Sequence, residues 1–296
     1  PLPPASMRDD LLSRLEKTRN APGVPLRVGT EREVEQTGTV ARLRTIAPPL
    51  LQADGSYRIA IKVRSPKAEA VRLALQFTDI DPRVSLRFLA SDGQTQYGPT
   101  TRGEEILDML SKNMASNDLS SDSVTWWSPS INGDSLIVVL DLPDKLAVQG
   151  TLMAITRISH LEFTAKDVLL MPFSSGSCNR DAACESAYAD AAASVAQIRF
   201  QSGGYTYSCS GTLMNNAGYD LTPYFLTANH CINTQTQAST IESQWFMQAQ
   251  TCNAPSVTID PRFSIMTGGA DLLYNTSATD TSLVRLRGNL PAGVIF

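Results

Sequence analysis

The chain has 296 residues, a hydrophobic share of 42%, a charged share of 18% and a formal net charge of −4. That is globular rather than disordered composition, in a length that holds about two domains. The acidic balance argues against a nucleic-acid groove, and no apolar run reaches the ~18 residues that a membrane-spanning helix needs. Pro1-Leu-Pro-Pro-Ala-Ser6 has neither the basic start nor the apolar stretch of a secretory leader, so an exported protein would already have lost it.

The first predicted element is a short helix over residues 6–17, with Ser6 as its N-cap, Asp9 and Asp10 in its first turn and Leu11, Leu12 and Leu15 on one side. Strands are predicted over 37–46, 56–63, 70–77 and 84–89, where apolar and polar residues nearly alternate. Asp54-Gly55, Asp92-Gly93 and Asn132-Gly133 supply turns between such stretches. Helical spacing of Ile106, Leu107, Leu110 and Met114 predicts a helix over 101–116, and further strands follow over 135–142 and 151–163. Residues 1 to about 170 thus read as mainly β, a sandwich with a helical insertion. A Ser/Gly/Pro stretch, Met171-Pro-Phe-Ser-Ser-Gly-Ser-Cys178, then marks a boundary, and the division predicted is 1–172 and 173–296. Beyond it come an Ala-rich helix over 185–192 and strands over 195–200, 205–208, 211–214, 224–227 and 241–248.

The cysteines divide the chain the same way. All five, at 178, 184, 209, 231 and 252, lie in the second part. With no C-x-x-C pair and only two histidines, disulfides in an oxidising compartment are a better reading than a metal centre. The odd count leaves one cysteine over.

The densest motif is Tyr224-Phe-Leu-Thr-Ala-Asn-His-Cys231, an apolar strand that runs into a histidine. A strand end fixes an imidazole well enough for proton transfer. Asp280-Thr-Ser-Leu-Val-Arg-Leu286 opens with an acid, and a buried carboxylate there would hold the His230 ring through Nδ1–H. Asp260 and Asp271 compete for that role. Other candidates have plainer explanations. Gln201-Ser-Gly-Gly204 is turn chemistry, as is Ser174-Ser-Gly-Ser177. His160 is expected to be a satisfied strand histidine, and Glu104-Glu105 the first turn of a helix. The charges between Lys62 and Arg83 alternate in sign with Glu69, Asp79 and Asp81, as on a solvated face. Trp126-Trp127 is expected to anchor a core, with a sugar-binding face as the alternative.

Together, Gly176-Ser-Cys-Asn179, Cys209-Ser-Gly-Thr-Leu213, the His230 segment, Trp245-x-x-Gln-x-x-Thr-Cys-x-Ala-Pro255 and Asp280-x-x-Leu283 resemble, in this order, the trypsin-like serine proteases, and most closely their bacterial lysyl endopeptidase branch. The resemblance covers roughly residues 174–296. It implies an all-β chymotrypsin-type barrel, with His230 as general base and Asp280 orienting it. It implies pairing of Cys209 with Cys231 and of Cys184 with Cys252, and a downstream partner for Cys178. It also implies a Gly-x-Ser-Gly nucleophile segment, which is expected to be missing along with the second barrel, since the chain ends at Phe296 soon after Asp280. The first half then resembles a propeptide. The expectation is a secreted, monomeric serine endopeptidase zymogen that acts on protein or peptide substrates, with cleavage after Lys implied by the branch it resembles. An intramolecular contact between prodomain and protease is expected, with no metal, cofactor, nucleic acid or membrane. These residues alone are expected to be inactive for want of the serine. The alternative is a non-catalytic, protease-derived binding or decoy protein whose β-sandwich first half binds a ligand such as carbohydrate.

Overall fold

The computed structural model describes residues 24–164, 167, 180–253 and 258–296. The helix predicted over 6–17, the boundary stretch 171–178 with Cys178, and Ala254 and Pro255 lie outside the described residues. The chain divides into two compact units, residues 29–162 and residues 163–296, the second including the described residues up to Val28.

The first unit is built from β1 (Leu26–Glu33), β2 (Leu50–Leu51), β3 (Tyr57–Arg64), β4 (Ala70–Asp79), β5 (Ser85–Ala90), β6 (Thr101–Arg102), β7 (Thr125–Trp127), β8 (Ile131–Asn132), β9 (Ser135–Leu142) and β10 (Leu152–Leu161). One antiparallel sheet runs β2-β3-β9-β5-β6. In another, β10 lies between β1 and β4, and β7 and β8 pair with β4. Leu73, Leu75 and Ile155 from the second meet Phe88, Val138 and Leu140 from the first in one core. Trp126 on β7 stacks on Phe88 of β5 with ring centroids 5.6 Å apart. The helix Gly103–Ala115 adds Ile106, Met109 and Leu110, with Glu104 and Glu105 in its first turn.

Residues 37–46 are not a strand, because Val40–Ile46 form a helix. The Thr39 side chain accepts the Arg42 backbone N–H, which starts the helix, and Leu43 is its one buried residue. A period-2 pattern without period-2 burial has nothing to hold it in a sheet.

In the second unit the helix Ala189–Ala193 is shorter than predicted and follows two 3-10 turns, Ala182–Cys184 and Ser186–Tyr188. Then come β11 (Val195–Ser202), β12 (Tyr205–Met214), β13 (Tyr224–Thr227), the helix Gln235–Ser239, β14 (Glu242–Trp245), β15 (Ser264–Met266), β16 (Ala270–Thr276) and β17 (Thr281–Leu286). Within the unit the antiparallel order is β15-β14-β11-β12-β13-β17-β16. Phe225 on β13 and Trp245 on β14 lie three strand spacings apart, about 14 Å in a flat sheet. Their rings are nevertheless only 6.1 Å apart. The sheet therefore curls over its own core into a half-barrel, consistent with the all-β chymotrypsin-type fold that the resemblance implies. Among the described residues no helix is long and apolar enough to cross a membrane.

Candidate active site

β13 ends at Thr227, and the chain turns at once: the Cys231 and Ile232 N–H groups both donate to Ala228 O at 3.1 Å. His230 stands on this turn. Its exit is fixed by a capping box between Thr234 and Gln237 that starts the helix Gln235–Ser239. A disulfide joins Cys231 to Cys209 on β12. A second disulfide joins Cys184 to Cys252, and Asp181 Oδ2 accepts the neighbouring Asn253 N–H at 3.0 Å.

Asp280 lies on the turn between β16 and β17, at φ 49°. Its Oδ1 accepts the His230 backbone N–H at 2.9 Å, and its Oδ2 lies 2.6 Å from His230 Nδ1. These bonds hold the Asp280 carboxyl below the usual carboxylate range, the His230 backbone N–H contributing most. An ionised carboxylate can only accept, so Nδ1 carries a proton, and in the neutral ring Nε2 then presents a lone pair. The carboxylate is not buried as expected. The Asp280 side chain is 51% exposed and that of His230 32%, because both stand on turns beyond the packed strands.

The competing acids are engaged elsewhere. Asp271 pairs with Arg285 at 2.8 Å and with Arg287, and Asp260 with Arg262 at 2.7 Å. His160 Nδ1 lies 2.8 Å from Ser65 Oγ in the first unit. Gln201-Ser-Gly-Gly204 is a two-residue hairpin between β11 and β12, with Gly203 and Gly204 at φ 55° and 84°. Trp126 and Trp127 are buried, at 4% and 5% exposure, which removes the sugar-binding face from the alternative reading. Trp245 belongs to the core at 0% exposure.

Cys209, Cys231 and His230 are the one group among the described residues close enough to share a metal ion, within 4.8 Å. The two sulfurs are bonded to each other, so neither is a thiolate ligand. The sequence reading does not single out Ser282 or Asn275, which also grip this turn. Its one signal for Ser282 is a polar residue at an inward position of β17, followed at the next inward positions by Val284 and Leu286.

The family described as "Lysyl endopeptidase N-terminal domain" matches residues 2–162, and that described as "Lysyl endopeptidase, C-terminal domain" matches 173–296. The chain belongs to the lysyl endopeptidase family. A lysyl endopeptidase of Pseudomonas aeruginosa is 30% identical over 288 residues, 93% of this chain and 58% of that protein. A secreted RxLR effector protein 73 of Plasmopara viticola is 30% identical over 116 residues, 38% of this chain and 28% of that protein. This chain thus spans less than two thirds of the length of either relative. A solved Paenibacillus cycloisomaltooligosaccharide glucanotransferase, complexed with cycloisomaltoheptaose, aligns with 95% of this chain and 48% of its own at 10% identity and a TM-score of 0.19, too low to bear on the fold.

Proposed function

We propose that this chain is part of a secreted serine endopeptidase made as a zymogen, with His230 as its general base and acid and Asp280 as the carboxylate that orients it. The observation that carries the reading is the double hold of Asp280 on His230, Oδ2 on Nδ1 at 2.6 Å and Oδ1 on the backbone N–H at 2.9 Å. Held this way, Nε2 takes the proton of an attacking hydroxyl and returns it to the leaving amine, while the carboxylate stabilises the imidazolium between the two transfers. The nucleophilic serine and the oxyanion donors are not among the residues assigned above, and we propose that they follow Asp280 in the enzyme as the organism makes it. The name of the Pseudomonas relative supports cleavage after Lys in protein or peptide substrates.

Residues 1–172 act as a prodomain that assists folding and holds the enzyme inactive, and residues 173–296 begin the catalytic domain. The separate family matches, 2–162 and 173–296, support this division, and the two disulfides support an oxidising destination. A half-barrel built of non-local strand pairing folds slowly, which gives such a template something to accelerate. The enzyme is taken to be a monomer with an intramolecular contact between prodomain and protease.

The test is hydrolysis of peptides that differ only in the residue before the scissile bond, by the enzyme and by its His230→Ala variant. Cleavage confined to Lys and lost in the variant supports the reading. Equal turnover by both forms overturns it. The 296 residues alone should give no turnover, and His230-dependent hydrolysis by them would assign the nucleophile to one of their own serines. Refolding of the catalytic domain at the same rate and yield without residues 1–172 would remove the folding role.

A further inference from the structure

The bond between His230 and Asp280 is exposed to water, which competes for both partners, so it does not by itself fix the ring. What holds the two turns at bonding distance lies beneath them. Thr227 on β13 is the register partner of Ser282 on β17, and Ser282 is the register partner of Asn275 on β16. Register partners in antiparallel strands share a face, so the three residues form one rung across three strands. The next rung inward, Phe225, Val284 and Leu272, is apolar, with Phe225 and Val284 at 0% exposure. A bulge between Leu272 and Tyr274 returns Asn275 to the inward face.

The rung turns polar at the end of the barrel where the His230 turn crosses it. Ser282 Oγ, in a residue that is 0% exposed, donates to Ile232 O. Asn275 Nδ2 donates to Asn233 O at 2.7 Å, and Thr227 Oγ1 to Ser210 O at 2.8 Å, beside Cys209. The hairpin that carries Asp280 at its tip thus grips, one residue pair into its strands, the two carbonyls that follow Cys231. We propose that Ser282 and Asn275, seated by Thr227, are positioning residues that set the His230–Asp280 geometry by clamping the turn from below. The inference rests on the roles given above to His230 and Asp280. The rung acts through those two residues and touches no substrate.

The experiment uses histidine labelled with 15N in the full 296-residue chain. The sequence has only two histidines, His160 and His230, so the imidazole spectrum resolves into two rings. The readouts are the low-field Nδ1–H resonance of His230 and its rate of exchange with solvent. Ser282→Ala removes a buried donor. Asn275→Leu removes the second donor from a half-buried site, adds no charge and leaves the core intact if Ser282→Ala does not fold. Exchange faster by about tenfold in the folded variants is expected, the response of a bond that has lost its fixed partner. In the enzyme, kcat should fall by a similar factor with KM unchanged. Thr227→Ser, which keeps its hydroxyl, should behave as the parent, and Thr227→Val should not. Unchanged exchange in both Ser282→Ala and Asn275→Leu overturns the rung and leaves the roles of His230 and Asp280 standing. Absence of the resonance from the parent chain overturns the pairing and the rung with it.

Discussion

Asp280 sits in a left-handed backbone conformation that asparagine and aspartate tolerate better than other non-glycine residues. Asp280→Asn therefore fits the same turn but removes the charge and allows the wrong imidazole tautomer. On the role proposed for Asp280, a fall in kcat of about 10⁴-fold with unchanged circular dichroism is expected, as for the same exchange in a Ser-His-Asp triad. Because its carboxyl is held low, Asp280 contributes stability that is present above its ordinary value of 3.8 and is lost as pH falls through its lower folded value. In the first unit two other groups titrate with opposite sign. Glu31 is pushed up to about 7, chiefly by burial and against the pull of Arg157, whose Nη1 donates to it at 2.8 Å. Its contribution is complete below 4.5 and lost as pH rises through about 7. His160 is pushed down, first by burial and then by the charge of Arg32, so stability falls as pH drops below 6.5. Thermal melts across this range should lose their alkaline decline in Glu31→Gln and their acid decline in His160→Gln. An unchanged profile in either variant would rule out that group.

Elements were legible where burial follows the period of the strand. β3 alternates apolar and polar residues as Tyr57-Arg-Ile-Ala-Ile-Lys-Val-Arg64, and Ile59 and Val63 are buried as that alternation predicts. β1 offered no such pattern: it is charged at Arg27, Glu31, Arg32 and Glu33 and fully buries only Val28 among its apolar residues. β16 was hidden by its bulge, which puts Leu273 and Tyr274 side by side and exposed. Residues 205–208 and 211–214 are one strand, β12, and Gly211 does not break it. That glycine answers to packing instead. A Cβ there would stand 2.2 Å from a Phe225 ring carbon and 2.5 Å from Leu226 O. Gly211→Ala should destabilise the second unit by about 1–3 kcal/mol or more, read as a lower midpoint in urea. A midpoint equal to that of the parent would mean that β12 and β13 separate at little cost. β14 stops at Trp245 rather than running to 248, since Phe246 takes φ 54°, which no sequence pattern announced. At the site, the histidine and aspartate were readable because motif and chain order mark them, whereas the rung beneath them depends on a three-strand register that only the folded sheet reveals.

Among the described residues lie two hydrophobic cores, one around Leu73, Phe88 and Val138 and one around Ile198, Phe225 and Trp245. Calorimetry should therefore give two transitions. A reductant should lower only the transition of the second unit, by about 2–4 kcal/mol for each disulfide lost, because both described disulfides lie there. A single transition, or an equal response of both, would show that the cores melt together. The Glu31→Gln and His160→Gln variants should move only the other one. The bridge between Cys209 and Cys231 has a consequence in time as well as in stability. It is made by oxidation, whereas the hydrogen bonds of Ser282 and Asn275 form as soon as the sheet does. A newly made chain in a reducing compartment carries its histidine on a turn with one fastening open, and the turn closes fully only once the surroundings remove two electrons. The redox state of the surroundings thus sets when the turn that carries the imidazole is fully fastened.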